Sequence, residues 1–336
     1  MAMKKIVFNI FIALMLVGTS LQAQIKVGII GLDTSHSPAF VKAFNTEDPK
    51  PEYAGFRVVA AYPYGSKTIK TSLDRIPKYI DEVKKYGVKI SDSIEDMLKE
   101  VDCVMLETND GNLHPEQALL VFKAGKPVFI DKPIGANLAQ AIAIFEMAEK
   151  YNVPLFSSSA LRYSPDNQKL RKGELGKVFG ADAFSPATME PSHADLAWYA
   201  IHGVETMYTI MGQGCESVQR TYTEGSDLIV GKWSDGRIGT VRGIRDGKLS
   251  YGGSALTDKG VVPAGGYKGY DPLLVEVVQF FKTKIVPVSK EETLEIFAFI
   301  EAADMSREKG GKVVTIADAM KKGQKEAKKL IKKMKI

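Results

Sequence analysis

Ala124-Gly125-Lys126-Pro127-Val128-Phe129-Ile130-Asp131-Lys132-Pro133, residues 124–133, is the stretch on which the reading of the fold turns. A turn at Gly125 and Pro127 feeds an apolar run the size of a buried strand. The run stops at Asp131-Lys132-Pro133, because Pro133 has no N–H for a ladder and a fixed φ. A cation at the carboxyl end of a buried parallel strand lies where open α/β sheets bind their ligands, and Asp131 stands ready to hold the ammonium. Taken alone, the stretch reads as a surface strand end with an ordinary Lys–Asp pair. Its surroundings reverse that reading.

Upstream, residues 25–31 form a strand pattern running into a glycine turn, followed by helical spacing at Phe40, Val41 and Phe44. Further strands are expected at 56–61, 101–106 and 153–157, with helices at 80–86, 93–101 (Ser93 as N-cap), 114–124 and 138–151. Strand and helix thus alternate from 24 to about 158, the signature of βαβ units and a doubly wound parallel sheet. Downstream, β-like runs at 178–184, 218–223, 228–233, 238–245 and 249–255 are separated by turns such as Ser234-Asp235-Gly236. One helix, 194–211, interrupts them, and helices return at 272–283 and 290–306. The fold class is therefore α/β. A Rossmann-type domain spans 24–158, and 159–336 forms an α+β domain with an open, mostly antiparallel sheet for substrate and oligomer contacts.

The 336 residues suit two domains, with 45% apolar and 25% charged residues. Lys4 and Lys5, the apolar run 6–17 and Leu21-Gln22-Ala23 make the three-part pattern of a secretory signal over residues 1–23. Cleavage near Ala23 puts the chain in the periplasm or outside the cell. The run is too short for stable membrane insertion. Losing two lysines lowers the formal charge from +5 to +3, too little to imply a nucleic-acid partner. Cys103 and Cys215 are the only cysteines, and Cys103 sits in an apolar run as a buried thiol. Residues 317–336 carry eight lysines, with Met320, Ala327, Leu330, Ile331 and Met334 on one helical stripe that packs while the charges face water.

A dinucleotide fold wants Gly-x-Gly-x-x-Gly after its first strand. This chain offers Gly31-Leu32-Asp33-Thr34-Ser35-His36. The first glycine is present; Asp33 puts a carboxylate where phosphates are expected, with Thr34 and Ser35 as compensating donors. After the second strand no acid appears for the ribose, only Tyr62-Pro63-Tyr64-Gly65-Ser66-Lys67. Ser66 and Lys67 suit a 2′-phosphate or a plain loop, leaving NAD against NADP undecided.

From residue 101 the match sharpens: Val104-Met105-Leu106-Glu107-Thr108-Asn109-Asp110, Leu113-His114, Asp131-Lys132-Pro133, Leu161-Arg162-Tyr163-Ser164-Pro165, Phe280-Phe281-Lys282-Thr283 and Glu291-Glu292-Thr293-Leu294. In this order and spacing the chain resembles the Gfo/Idh/MocA oxidoreductase family from about residue 24 to 320. The resemblance implies a Rossmann domain, a second α/β domain and NAD(P)-dependent chemistry on sugars and polyols. By the same resemblance Lys132 is the active-site lysine that hydrogen-bonds the reacting hydroxyl, and His202 is the general base. The cofactor side is Gly31, Asp33, Thr34, Ser35, His36, Asn109, His114 and Asp131. Arg162, Tyr163, His193, Trp198 and Glu205 line the substrate cleft. Where the family usually has Asp, four residues before the histidine, this chain has Trp198, which stacks on a sugar; Asp195, one turn earlier, takes over the carboxylate role. Spacings of three, four and three put Asp195, Trp198, His202 and Glu205 on one helical face.

An exported enzyme of this kind needs a nicotinamide that stays bound, and its cycle ends in net oxidoreduction or in a redox-neutral elimination of a glycoside. It is expected to form homo-oligomers through the C-terminal sheet. Two other readings use the same fold: a cofactor-less sugar-binding protein, and a metal-dependent lyase or hydratase. No pair of histidines has tight metal spacing, so no metal ligands are assigned.

Overall fold

The computed structural model of the protein describes residues 24–334, so the secretory signal expected over 1–23 lies outside the described residues. The first half alternates β1 (Ile25–Ile30), α1 (His36–Asn45), β2 (Phe56–Tyr62), α2 (Lys70–Lys84), β3 (Lys89–Ile90), α3 (Ile94–Leu98), β4 (Cys103–Leu106), α4 (His114–Lys123), β5 (Val128–Asp131), α5 (Leu138–Tyr151) and β6 (Leu155–Ser158). Their strands pair in parallel in the order β3-β2-β1-β4-β5-β6. The winding reverses between β1 and β4, and the ligand crevice of such sheets opens there, beyond the strands' carboxyl ends. Every residue of β4 and β5 is buried, as expected when helices cover both faces.

The second half follows with α6 (Pro165–Arg171), β7 (Val178–Pro186), α7 (Ile201–Met211), β8 (Cys215–Tyr222), β9 (Ser226–Trp233), β10 (Ile238–Ile244), β11 (Gly252–Thr257), β12 (Gly260–Ala264), α8 (Asp271–Thr283), α9 (Lys290–Glu308), β13 (Val314–Thr315) and α10 (Ile316–Lys333). The sheet order is β12-β11-β7-β10-β9-β8-β13. Only β7 and β10 pair in parallel; the other neighbours are antiparallel. Tyr208 of α7 packs on Trp233 and on Phe299 of α9 at one face. On the other face Ile238, Leu256 and Val261 are exposed.

Helix α8 belongs by sequence to the second half but packs with the first. Its Leu273, Leu274, Val277, Phe280 and Phe281 share one cluster with Val27, Ile29, Phe40, Phe129 and Phe156. The opposite face of the first sheet is closed by α3, α4 and α5 through Met97, Phe122 and Ile142.

Three expected elements change. The helix expected over 194–211 begins only at Ile201. The amides of Ala194 and Asp195 are taken by the Ala136 carbonyl and the Asp304 carboxylate, so this segment is tied across the molecule. The helix expected at 80–86 is the end of the longer α2. On α10 the buried stripe is Ala319, Gly323 and Ala327, and a Cβ at Gly323 would stand 2.6 Å from Leu138 of α5.

Candidate active site

The crevice starts at Gly31, where a φ of 90° and the 2.5 Å at which an added Cβ would meet the Thr108 amide nitrogen exclude a side chain. Asp33, expected from the sequence to put its carboxylate where phosphates bind, does not line the cavity of this crevice. Its side chain is turned inward and is fully buried, with Oδ1 accepting from the Asn109 amide at 3.0 Å. Burial pushes its pKa up to about 6, against the hydrogen bonds from Asn109 and Ser72. The carboxylate lies under Gly65, where an added Cβ would fall 2.1 Å from Oδ2. Gly65→Ala should therefore cost about 1–3 kcal/mol in urea unfolding, and Asp33→Ala in the same chain should recover most of it; a loss unaffected by the second change would refute this contact.

With Asp33 tucked away, Thr34, Ser35 and His36 reach a cavity of about 370 Å³. Ser35 makes no capping hydrogen bond to α1, and Thr34 Oγ1 is buried without a partner. An uncapped helix start with a spare hydroxyl is an anion-binding arrangement. Arg75 of α2 and Lys132 add positive charge to the same cavity. These residues fit the phosphates of a dinucleotide.

The cavity's far wall comes from the second half: Ser159, Trp198, Tyr199, His202, Tyr251 and Tyr270. Lys132 Nζ lies 5.4 Å from the centre of the Tyr199 ring, a cation–π distance. The Tyr199 ring in turn meets His202 edge-on at 5.5 Å. His202 Nδ1 is 2.7 Å from Ser159 Oγ. When Nδ1 carries the ring proton it donates to Ser159, which leaves Nε2 as a free base. Burial, followed by the charges of Lys132 and His36, holds the His202 pKa well below 6.5. The ring is therefore held in its neutral form. Asp131 does not hold the Lys132 ammonium: its Oδ2 lies 2.8 Å from His36 Nδ1 instead.

Several residues assigned to the site by sequence lie outside the cavity. Asp195 precedes α7 and pairs with Arg220 at 3.1 Å and with Arg307, so it is a structural ion-pair partner, not a catalytic carboxylate. Arg162 and Glu205 are buried and bond each other at 2.7 Å, and neither lines the cavity. Glu205 also accepts from the Ser158 hydroxyl at 2.5 Å and the Ser159 amide at 2.8 Å, and so holds the residue beside His202. Tyr163 is buried in the α8 cluster. His114 is buried, with Nε2 2.7 Å from the Thr108 carbonyl and Nδ1 3.2 Å from that of Ile134; it pins two loops and does not line the cavity. His193 Nε2 accepts from the Gly111 amide at 3.1 Å, and its ring packs on Trp198 from behind. Ser66, considered for a 2′-phosphate, donates to Asp110 at 2.8 Å and is buried.

Sequence reasoning passed over other cavity residues. Thr71 and Arg75 are on α2, whose first turns had been given no element from the sequence. Tyr251, Tyr267 and Tyr270 come from a glycine-rich stretch whose repeated tyrosines were the available signal. Glu107, fully buried at the end of β4, was visible as an acid closing an apolar strand. Burial, then the charge of Asp131, raises its pKa well above the usual carboxylate range, outweighing Lys132.

Residues 25–159 match the family described as oxidoreductases with an NAD-binding Rossmann fold. The chain is 28% identical over 149 residues to the myo-inositol 2-dehydrogenase of Thermotoga maritima, covering 40% of this chain and 43% of that protein. It is 25% identical over 215 residues to the inositol 2-dehydrogenase of Salmonella typhimurium, covering 61% and 60%. The chain thus spans about half the length of these relatives. Its fold is shared with scyllo-inositol dehydrogenase from Lactobacillus casei, solved with bound NAD(H) and scyllo-inositol: TM-score 0.69, 16% identity, 88% of this chain and 99% of that one.

Proposed function

We propose that the chain, whose residues 25–159 match the Gfo/Idh/MocA oxidoreductase family, is an NAD(P)-dependent oxidoreductase of a sugar, glycoside or polyol. The observation that carries this reading is that Lys132 and His202, from opposite halves of the chain, line one cavity with the uncapped start of α1. The inositol dehydrogenases among its relatives support a polyhydroxylated ring as substrate. With Asp33 turned away from the crevice, its carboxylate does not oppose the phosphates of a dinucleotide.

Thr34, Ser35, Arg75 and Asn109 would hold the dinucleotide, and its nicotinamide ring would supply the hydride acceptor. Trp198, Tyr199 and Tyr251 offer ring faces on which the apolar face of a sugar stacks. The Lys132 ammonium donates to the reacting hydroxyl and favours its alkoxide. Neutral His202 accepts that proton at Nε2, and Ser159 keeps the ring oriented through Nδ1. Export through residues 1–23 and association through the exposed sheet face carrying Ile238, Leu256 and Val261 are part of this proposal.

The test is purified full-length protein mixed with NAD or NADP and a panel of inositols and glycosides, followed by reduced-nicotinamide fluorescence. Reduction with at least one polyol is expected, with the acid limb of kcat/KM below pH 6.5, because the base loses activity only when protonated and its pKa is depressed. The folded state should also lose stability as pH falls from 6.5 through that depressed pKa, since the unfolded histidine takes its proton first. Failure to bind either dinucleotide, or an acid limb above 6.5, would overturn the reading.

A further inference from the structure

At the winding reversal of the first sheet, three side chains converge that the proposed proton transfer does not use, and His36 is the only basic group paired with either acid among the described residues. Glu107 follows β4, Asp131 ends β5 in the next register position, and His36 opens α1. One ligand atom from each lies within 4.8 Å of the others. His36 Nδ1 is 2.8 Å from Asp131 Oδ2 and 3.8 Å from Glu107 Oε2. The 2.8 Å approach lacks hydrogen-bond alignment, so His36 Nδ1 has no hydrogen-bond partner.

Glu107 is 0% exposed, and neither of its oxygens has a hydrogen-bond partner; Asp131 Oδ1 has none either. A buried carboxylate left this way must take up a proton or a cation. Among the described residues, Lys132 forms no ion pair with either acid, its ammonium lying over Tyr199 instead. Metal–ligand bonds of about 2.0–2.2 Å hold neighbouring ligand atoms about 3–3.5 Å apart, and the two measured spacings bracket that separation.

We propose that His36, Glu107 and Asp131 form a binding site for one divalent cation of the zinc or manganese type. One nitrogen and two carboxylate donors suit such ions. His36 and Asp131 also line the cavity, so the remaining coordination positions face it and take water or a substrate hydroxyl. The site needs no nucleotide, and it stands or falls separately from the redox reading.

The full-length protein is stripped with a chelator, incubated with Zn²⁺ or Mn²⁺, dialysed, and assayed for bound metal and thermal midpoint. One ion per chain and a metal-dependent rise in the midpoint are expected. Glu107→Gln keeps the shape but removes the charge, and should weaken retention at least about tenfold. If circular dichroism shows that this variant does not fold, His36→Gln, at a partly exposed position, makes the same test. A folded wild type that retains no ion, or a folded variant that retains as much as wild type, overturns the site.

Discussion

Lys132→Ala is expected to lower kcat about a thousandfold while leaving the thermal midpoint close to that of the wild type. The ammonium lines the cavity and takes part in no ion pair among the described residues, so the fold does not depend on its charge. Substitutions away from buried networks typically change stability by about 0.5 kcal/mol or less. The catalytic loss is larger because a donor aimed at developing negative charge contributes about 10²–10³ in rate, and proton-transfer groups about 10²–10⁴. Steady-state kinetics on the polyol found in the substrate panel, alongside a melting curve, checks both halves. A variant with wild-type kcat would remove Lys132 from the mechanism.

Arg162→Ala should have the largest effect on stability, about 3–5 kcal/mol in urea unfolding. The guanidinium is buried between two carboxylates, 2.7 Å from Glu205 and 2.7 Å from Glu292. Glu292 retains Arg171 at 2.7 Å, but Glu205 would be left with only the Ser158 and Ser159 donors. Burial alone would raise the Glu292 pKa; Arg162 and Arg171 reverse that and hold it below the usual value. Because its folded pKa is depressed, this part of the stability is present above pH 4.5 and is lost as pH falls through that lower value. The variant's activity should fall too, since Glu205 fixes the Ser158–Ser159 segment that orients His202. A loss of less than about 1 kcal/mol would mean that solvent reaches the pair.

The parallel sheet was legible because its strands are short apolar runs that end at turn residues, and α5 lies over residues 138–151 as its spacing predicted. The mixed second sheet was legible for the same reason. The helix before His202 was misread because spacings of three, four and three occur in a segment whose amides are committed elsewhere. Local periodicity cannot reveal that Ala194 bonds Ala136. Arg162 was assigned to the substrate because its partners lie 43 and 130 residues away, beyond any spacing argument. Lys132 was readable because Pro133 marks the strand end, and strand ends are where this topology puts ligands. The cation site escaped notice because its three donors come from separate turns, and only the strand order makes them neighbours.

The packing of α8 on the first sheet sets a limit on how this molecule can be taken apart. A fragment stopping after β6 would leave Val27, Ile29, Phe129 and Phe156 without the Leu273–Phe281 surface that shields them. The nucleotide half is therefore no transplantable module: a gene fusion spliced at that joint would inherit a bare apolar wall, and chains emerging from translation must wait for a late segment before the earliest strands are sealed.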